Sequence, residues 1–142
     1  MVNELTGSVL VVEDDSIDAE YIAKTLKQLG ISHEVVPRSY EAIELLRRVD
    51  APRPGLVLLD WKISGGGASV LRAMRQDPML ATTPVVVLSR STARDDVHGA
   101  LTGHANAFVA KAAELRDFQA HVAAICDFFL NIAQPPPTPD NE

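Results

Sequence analysis

Short apolar runs alternate along this chain with stretches in which apolar residues recur at helical spacing. Three of the runs, at residues 8–12, 56–59 and 85–88, consist almost entirely of valine and leucine. Continuous apolar strands of this kind are typical of parallel sheets, because helices cover both faces of such a sheet. The alternation therefore restricts the chain to an α/β architecture.

Two weaker strands are predicted at residues 33–36 and 107–110, which brings the strand count to five. Helical spacing follows each strand, with a short helix near residues 96–101, and Gly30 and Pro78 stand where helices should stop. Five strand–helix units joined by right-handed crossovers predict a doubly wound parallel sheet. We expect the flavodoxin-like strand order 2-1-3-4-5 with five helices.

One domain is expected from a chain of 142 residues with 46% apolar content. We assign residues 1–133 to this domain and predict a long C-terminal helix over about 114–132. Residues 134–142 contain four prolines and polar side chains, which neither continue a helix nor pack a core. This tail is expected to be extended or disordered.

Charge and hydropathy exclude several classes of function. A net charge of -6 with scattered Lys and Arg argues against nucleic-acid binding, which needs a basic patch. We find no apolar run of the roughly 20 residues that span a membrane, and no secretory signal, so we expect a cytoplasmic protein. The single Cys126 lies among apolar residues and is expected to be packed and inert, and the four histidines suggest no metal site.

Acidic residues follow two of the predicted strands. Glu13 and Asp14 follow the first strand and Asp60 follows the third, and these strands are neighbours in the expected sheet. Carboxylates brought together at one edge repel each other unless a cation or protons intervene. An open site of hard oxygen ligands suits Mg²⁺. The simpler interpretation, that Asp15 or Ser16 caps the first helix, applies in part but does not explain Asp60.

Two further strand ends point to the same edge. Ser89 follows the fourth strand and Lys111 follows the fifth. Either could be an ordinary turn or surface residue. Together with the carboxylates they can perform phosphoryl transfer, with Asp60 as the nucleophile, Lys111 and Mg²⁺ neutralising phosphoryl oxygens, and Ser89 donating a hydrogen bond.

The chain resembles the receiver domains of two-component response regulators over about residues 8–132. The motifs that carry the resemblance are Val-Val-Glu-Asp-Asp at 11–15, Leu-Leu-Asp-Trp at 58–61, Pro-Val-Val-Val-Leu-Ser at 84–89 and Phe-Val-Ala-Lys at 108–111. The resemblance implies that a partner histidine kinase phosphorylates Asp60. It implies metal ligation by Glu13, Asp14, Asp60 and the backbone carbonyl of Lys62, and a conformational switch through Ser89 and Phe108. Plain core filling is an equal alternative for Phe108.

Three positions depart from the family pattern. Ala112 replaces the proline after the active-site lysine, so the usual cis peptide is not expected. Arg90 replaces a small residue, and it could shield the site or contact the phosphoryl group. The glycine-rich loop at residues 62–67 is expected to be more mobile than its counterparts, and as a phosphate-binding loop it is weakly supported.

We expect the output to be protein–protein contact, because no DNA-binding or catalytic domain follows. Phe128 and Leu130 fall off the apolar stripe of the last helix, so a homodimer through this helix is expected. The C-terminal Cys-Asp-Phe-Phe-Leu and the proline-containing tail resemble the stand-alone regulators that partner bacterial and cyanobacterial phytochromes. This resemblance implies a red-light photoreceptor kinase as the partner.

Three other functions compete with this interpretation. A flavodoxin is disfavoured because Glu13, Asp14 and Asp15 would repel the flavin phosphate. An aspartate-nucleophile phosphatase would carry its nucleophile after the first strand. The remaining alternative is a degenerate receiver that binds its partner without phosphorylation, which Ala112 and Arg90 make plausible. In each receiver interpretation the chain is a signalling protein rather than a classical enzyme.

Overall fold

The computed structural model describes residues 7–137, so residues 138–142 of the tail predicted at 134–142 lie outside the described residues. Five strands alternate with five α-helices, as predicted. The strands are β1 (Val9–Val12), β2 (His33–Val36), β3 (Leu56–Leu59), β4 (Val85–Ser89) and β5 (Ala107–Ala110). The helices are α1 (Ser16–Gln28), α2 (Ser39–Leu46), α3 (Gly67–Gln76), α4 (Arg94–Thr102) and α5 (Leu115–Asp127).

The five strands form one parallel sheet in the order β2-β1-β3-β4-β5, which confirms the predicted flavodoxin-like topology. Val12 of β1 pairs with Leu59 of β3, so Glu13 and Asp60 leave the sheet side by side. The strand order reverses between β1 and β3, and ligands bind at such a switch point in open α/β sheets.

The core has two layers because alternate strand residues face opposite sides of the sheet. Leu10 and Val12 pack with residues of α2 and α3, whereas Val9 and Val11 pack with residues of α1 and α5. Cys126 belongs to the second layer and is fully buried, which confirms its prediction as a packed thiol. The sheet is therefore covered on both faces and presents its polar residues only at its edges.

The C-terminal helix differs from the prediction of one continuous helix over 114–132. The α-helix α5 ends at Asp127 and is followed by a π-helical segment, Phe128–Ile132. The Ala133 amide donates to the Phe128 carbonyl at 2.6 Å, a five-residue separation that defines the wider turn. Within this π-helical segment Phe128 and Ile132 are exposed to solvent, whereas Leu130 is partly buried against the core.

Candidate functional site

Backbone hydrogen bonds hold the predicted site residues in place at the carboxyl ends of the strands. The Asp60 amide donates to the Val12 carbonyl at 2.9 Å, and the Glu13 amide donates to the Val36 carbonyl at 3.0 Å. On the other side of the sheet the Lys111 amide donates to the Ser89 carbonyl at 2.9 Å. Ladder bonding thus continues through the functional residues, and their backbones have little freedom to move.

Three carboxylates meet at the switch point, as predicted. Glu13, Asp14 and Asp60 each offer an oxygen atom, and these atoms lie within 4.8 Å of one another. Glu13 is buried and Asp60 nearly so, while Asp14 is exposed to solvent. Three hard oxygen donors with one side open to water suit a small divalent cation such as Mg²⁺, which keeps part of its hydration shell.

Lys111 supplies the positive charge of the site. Its side chain is 3% exposed, and its Nζ lies 2.6 Å from Glu13 Oε1 and 3.7 Å from Asp60 Oδ2. Burial acts to lower the pKa of Lys111, but hydrogen bonds to Asp18 and Glu13 outweigh it and raise the pKa above its usual value. The ammonium is therefore charged at neutral pH, next to the predicted nucleophile.

The pKa of Glu13 lies far above the usual value of a carboxyl group. Burial and the neighbouring Asp60 carboxyl group raise the pKa of Glu13 to about 8, although the hydrogen bond from Lys111 opposes this rise. A carboxyl group in this position holds a proton until a stronger positive charge displaces it. A bound divalent cation is such a charge, because metal ligands must lose their protons to coordinate.

Ser89 and Phe108 lie where the sequence placed them, although neither has a direct bond to Asp60 in the structure. Ser89 is fully buried at the end of β4, where it pairs with Ala110 of β5. Its Oγ accepts a hydrogen bond from the Ser91 amide at 3.2 Å. Phe108 is half-buried on the edge strand β5. Their switching roles stay predictions.

The loop after Asp60 is closed by its own hydrogen bonds. The Lys62 amide donates to Asp60 Oδ1 at 3.3 Å, and the Ser69 hydroxyl contacts the carbonyls of Gly65 and Gly66 at 2.8 Å each. Gly65 and Gly66 adopt φ values of +89° and +84°, which side chains rarely adopt. The glycines thus allow a tight turn into α3, while the predicted mobility and metal ligation by the Lys62 carbonyl stay predictions.

Asp15 is a helix cap, as its capping interpretation predicted. Its Oδ1 accepts hydrogen bonds from the amides of Ile17 and Asp18, both at 3.0 Å. The bond from the Asp18 amide is the main cause that lowers the pKa of Asp15 below its usual value. The third acid of the Glu-Asp-Asp motif therefore starts α1 and lies outside the metal cluster.

Asp18 is the site residue that the sequence analysis missed. It is 1% exposed, and its carboxylate contacts two cations: Oδ1 lies 2.5 Å from Arg90 Nη2, and Oδ2 lies 2.8 Å from Lys111 Nζ. The signal available in the sequence was an acidic residue in the first turn of α1, the helix that begins shortly after the predicted metal ligands. The sequence predicted that Arg90 either shields the site or contacts the phosphoryl group. In the structure its guanidinium binds Asp18, and both roles stay predictions.

The remaining departure from the family pattern agrees with its prediction. Within residues 7–137 no peptide bond is cis, so the bond between Lys111 and Ala112 is trans. Ala112 packs against the core layer that contains α1 and α5.

No helix of the described residues has both the length and the apolar character needed to cross a membrane.

This sheet, with an acidic cluster at its switch point and a buried lysine beside it, defines a receiver domain. Residues 9–123 match the response regulator receiver domain family, and the chain belongs to that family. The chain is 33% identical over 129 residues to the response regulator Rcp1 of Synechocystis, covering 86% of this chain and 88% of Rcp1.

Two solved structures extend this comparison to three dimensions. The phosphorylated cyanobacterial phytochrome response regulator RcpA superposes with a TM-score of 0.86 at 32% identity, covering 92% of this chain and 98% of RcpA. The Mn²⁺-bound form of response regulator Rcp1 superposes with a TM-score of 0.81 at 31% identity, covering 94% of this chain and 99% of that one. Both similarities cover more than nine tenths of this chain and nearly all of the solved chain.

Proposed function

We propose that this chain acts as a response regulator in which Asp60 accepts a phosphoryl group from a partner histidine kinase. The observation that carries the proposal is the position of Asp60, which shares an acidic cluster with Glu13 and Asp14 and has the Lys111 ammonium 3.7 Å away. A carboxylate beside both a metal-binding pair of acids and a cation is the arrangement that phosphoryl transfer needs.

The protein groups have separate roles in this transfer. An Asp60 carboxylate oxygen attacks the phosphorus atom, and the bond between phosphorus and the donor's imidazole nitrogen breaks. Lys111 neutralises a phosphoryl oxygen as charge develops on it, and Ser89 donates its hydroxyl hydrogen to the acquired group. Glu13, Asp14, Asp60 and the Lys62 carbonyl would hold Mg²⁺, which supplies further charge neutralisation when bound.

Phosphorylation would be read out at the surface near β5. Ser89 is followed by the chain into α4, and Phe108 lies half-buried on the neighbouring edge strand. If the Ser89 hydroxyl moves toward a phosphoryl group, space opens next to β5 and Phe108 can take an inward rotamer. The face formed by α4 and β5 would then change for a binding partner.

The proposed kinase is a phytochrome-type photoreceptor, acting in the cytoplasm. Support comes from the similarity to RcpA, a cyanobacterial phytochrome response regulator, over 92% of this chain, and to Rcp1 over 86% of it. Under this proposal light sets the level of Asp60 phosphate, and the chain acts through protein contacts rather than as a classical enzyme.

A homodimer through the C-terminal segment is the second part of the proposal. Phe128 and Ile132 of the π-helical segment are 49% and 65% exposed, and Phe128 stacks edge-on against Phe129 with centroids 5.1 Å apart. Leu130 lies between them and is partly buried. Exposed aromatic and aliphatic side chains on one segment favour burial against a second copy.

A degenerate receiver, which binds its partner without phosphorylation, is the alternative. One distance favours it: the Lys111 ammonium is closer to Glu13 and Asp18, at 2.6 and 2.8 Å, than to Asp60 at 3.7 Å. In this alternative the buried ion pairs would stabilise a permanent binding conformation.

Intact mass spectrometry after incubation with acetyl phosphate and Mg²⁺ separates the two. We expect the wild type to gain one phosphoryl group, and we expect Asp60→Asn or a chelator to abolish the gain. The incubation is repeated with a phytochrome-type histidine kinase and ATP. An unmodified mass under both conditions would reject the phosphoacceptor function and leave the degenerate receiver.

A further inference from the structure

Asp18 is a buried acid that the proposed transfer does not use directly. It lies in the first turn of α1, with each of its two carboxylate oxygens on a different cation, Arg90 Nη2 and Lys111 Nζ. A buried carboxylate is costly unless it is paired, and one that is paired on both oxygens is held in a single orientation. Asp18 therefore provides a fixed anion that links Arg90, which follows β4, to Lys111, which follows β5.

The flexible side chain of Lys111 needs a fixed partner to set the position of its ammonium. Its long side chain has four rotatable bonds, and its ammonium has three N–H donors. Contacts to Glu13 and Asp18, at 2.6 and 2.8 Å, occupy two donors and leave the third for Asp60 or a group attached to it. Without Asp18, the ammonium would be attracted only by Glu13 and Asp60, the residues proposed to bind the metal.

We propose that Asp18 is a positioning residue for phosphoryl transfer, which holds the Lys111 ammonium beside Asp60. Arg90 holds the second oxygen of Asp18 from the chain segment directly after Ser89. The inference rests on the proposed function, because it assigns a role within phosphoryl transfer to Asp60.

The test compares Asp18→Asn, Asp18→Glu and Asp117→Asn with the wild type. Asn keeps the size of Asp18 and removes its charge, while Glu keeps the charge. Asp117 is the matched control because it is also an acid in the first turn of a helix, α5, but is exposed to solvent. Phosphorylation by acetyl phosphate is followed by mass over time, at increasing acetyl phosphate and Mg²⁺ concentrations.

We expect Asp18→Asn to lower the maximal rate at saturating donor and Mg²⁺ by about tenfold or more, because a misplaced catalytic group loses transition-state contacts. Asp18→Glu should recover part of this rate, and Asp117→Asn should match the wild type. Unchanged circular dichroism under assay conditions keeps a folding defect separate from the rate effect.

The inference is overturned if the wild type is phosphorylated and Asp18→Asn reaches the same maximal rate. It is also overturned if Asp18→Glu is as slow as Asp18→Asn, since a charge-based role predicts rescue. A wild type that gains no phosphoryl group from acetyl phosphate or from a kinase instead rejects the proposed function, and the inference with it.

Discussion

Lys62 Nζ lies 3.1 Å from Asp96 Oδ1, and this ion pair joins the loop after Asp60 to the first turn of α4. The other Asp96 oxygen accepts a hydrogen bond from the Ser91 hydroxyl at 2.7 Å. Ser91 in turn donates its amide to Ser89 Oγ. A continuous set of polar contacts thus connects the residue two positions after the predicted nucleophile with the predicted switch hydroxyl.

The first prediction concerns the acidity of Asp96. The hydrogen bond from Ser91 is the largest cause that lowers the pKa of Asp96, and Lys62 adds to it. Ser91→Ala should therefore raise this pKa toward its usual value by more than Lys62→Met does. Carboxyl-detected NMR titration measures both changes. A depressed folded-state pKa stabilises the protein above the unfolded pKa, and this contribution is lost as the pH falls through the folded value.

The order of the two effects is the point of the test. Equal pKa values for Asp96 in the wild type and in Ser91→Ala would contradict the hydrogen bond as the dominant cause.

The second prediction concerns Mg²⁺ affinity and pH. Because burial and Asp60 raise the pKa of Glu13 to about 8, coordination must displace its proton below that pH. Affinity should rise by about tenfold per pH unit up to about pH 8 and level off above it. The single tryptophan, Trp61, directly follows Asp60, so its fluorescence can report binding.

Without bound metal, the raised pKa of Glu13 makes the folded state less stable as the pH rises. A carboxyl group with a raised folded-state pKa loses stabilisation as the pH rises from 4.5 to about 8, because the folded state binds the extra proton. Added Mg²⁺ should cancel this decline. Glu13→Gln should bind Mg²⁺ more weakly and without the pH dependence; a wild-type affinity that is constant between pH 6 and 8 would contradict the assignment.

The third prediction concerns Gly67 at the start of α3. A Cβ atom there would lie 2.8 Å from Trp61 Cα and 2.9 Å from the Trp61 carbonyl oxygen, which are backbone atoms next to Asp60. Gly67→Ala should therefore destabilise the fold by about 1–3 kcal/mol in urea unfolding, because the loop must shift to accept it.

Gly99 in α4 provides a matched control for this substitution. A Cβ atom at Gly99 would make an ordinary contact, 3.5 Å from the Trp61 ring. Gly99→Ala should be neutral or stabilise by up to about 1 kcal/mol, because alanine favours the helix. Equal unfolding free energies for the two variants would show that close packing at Gly67 is unimportant.

The fourth prediction concerns the C-terminal surface. If Phe128 and Leu130 contribute to a dimer, Phe128→Ala and Leu130→Ala should shift the wild-type mass in sedimentation equilibrium from dimer to monomer. Phe128→Ala should have the larger effect, because Phe128 is the more exposed of the two. Val49→Ala, which removes another exposed apolar side chain, should leave the mass unchanged. A monomeric wild type at all concentrations would rule out this dimer.

The fifth prediction concerns Cys126. Burial raises the pKa of its thiol to about 11, so the reactive thiolate is scarce at pH 8 and reagents cannot reach it. We expect negligible modification by a thiol-reactive reagent in the native protein and one modified thiol per chain in denaturant. Rapid labelling of the native protein would instead reveal local opening of α5.

The positions of the strands and of four site residues could be predicted from local patterns. Valine- and leucine-rich runs mark strands that are buried on both faces, and the residue after such a run must emerge at the sheet edge. This reasoning was sufficient for Glu13, Asp60, Ser89 and Lys111, because each directly follows or ends a strand.

Contacts between distant parts of the chain could not be predicted in this way. Asp18 is 72 residues from Arg90 and 93 residues from Lys111, and its own helix explains neither contact. The π-helical segment was missed as well, because a helical period read from sequence assumes that the period stays constant. Local periodicity determined the sheet and the acidic edge, whereas only the tertiary structure decided which buried charges meet, because that pairing depends on how separate elements pack.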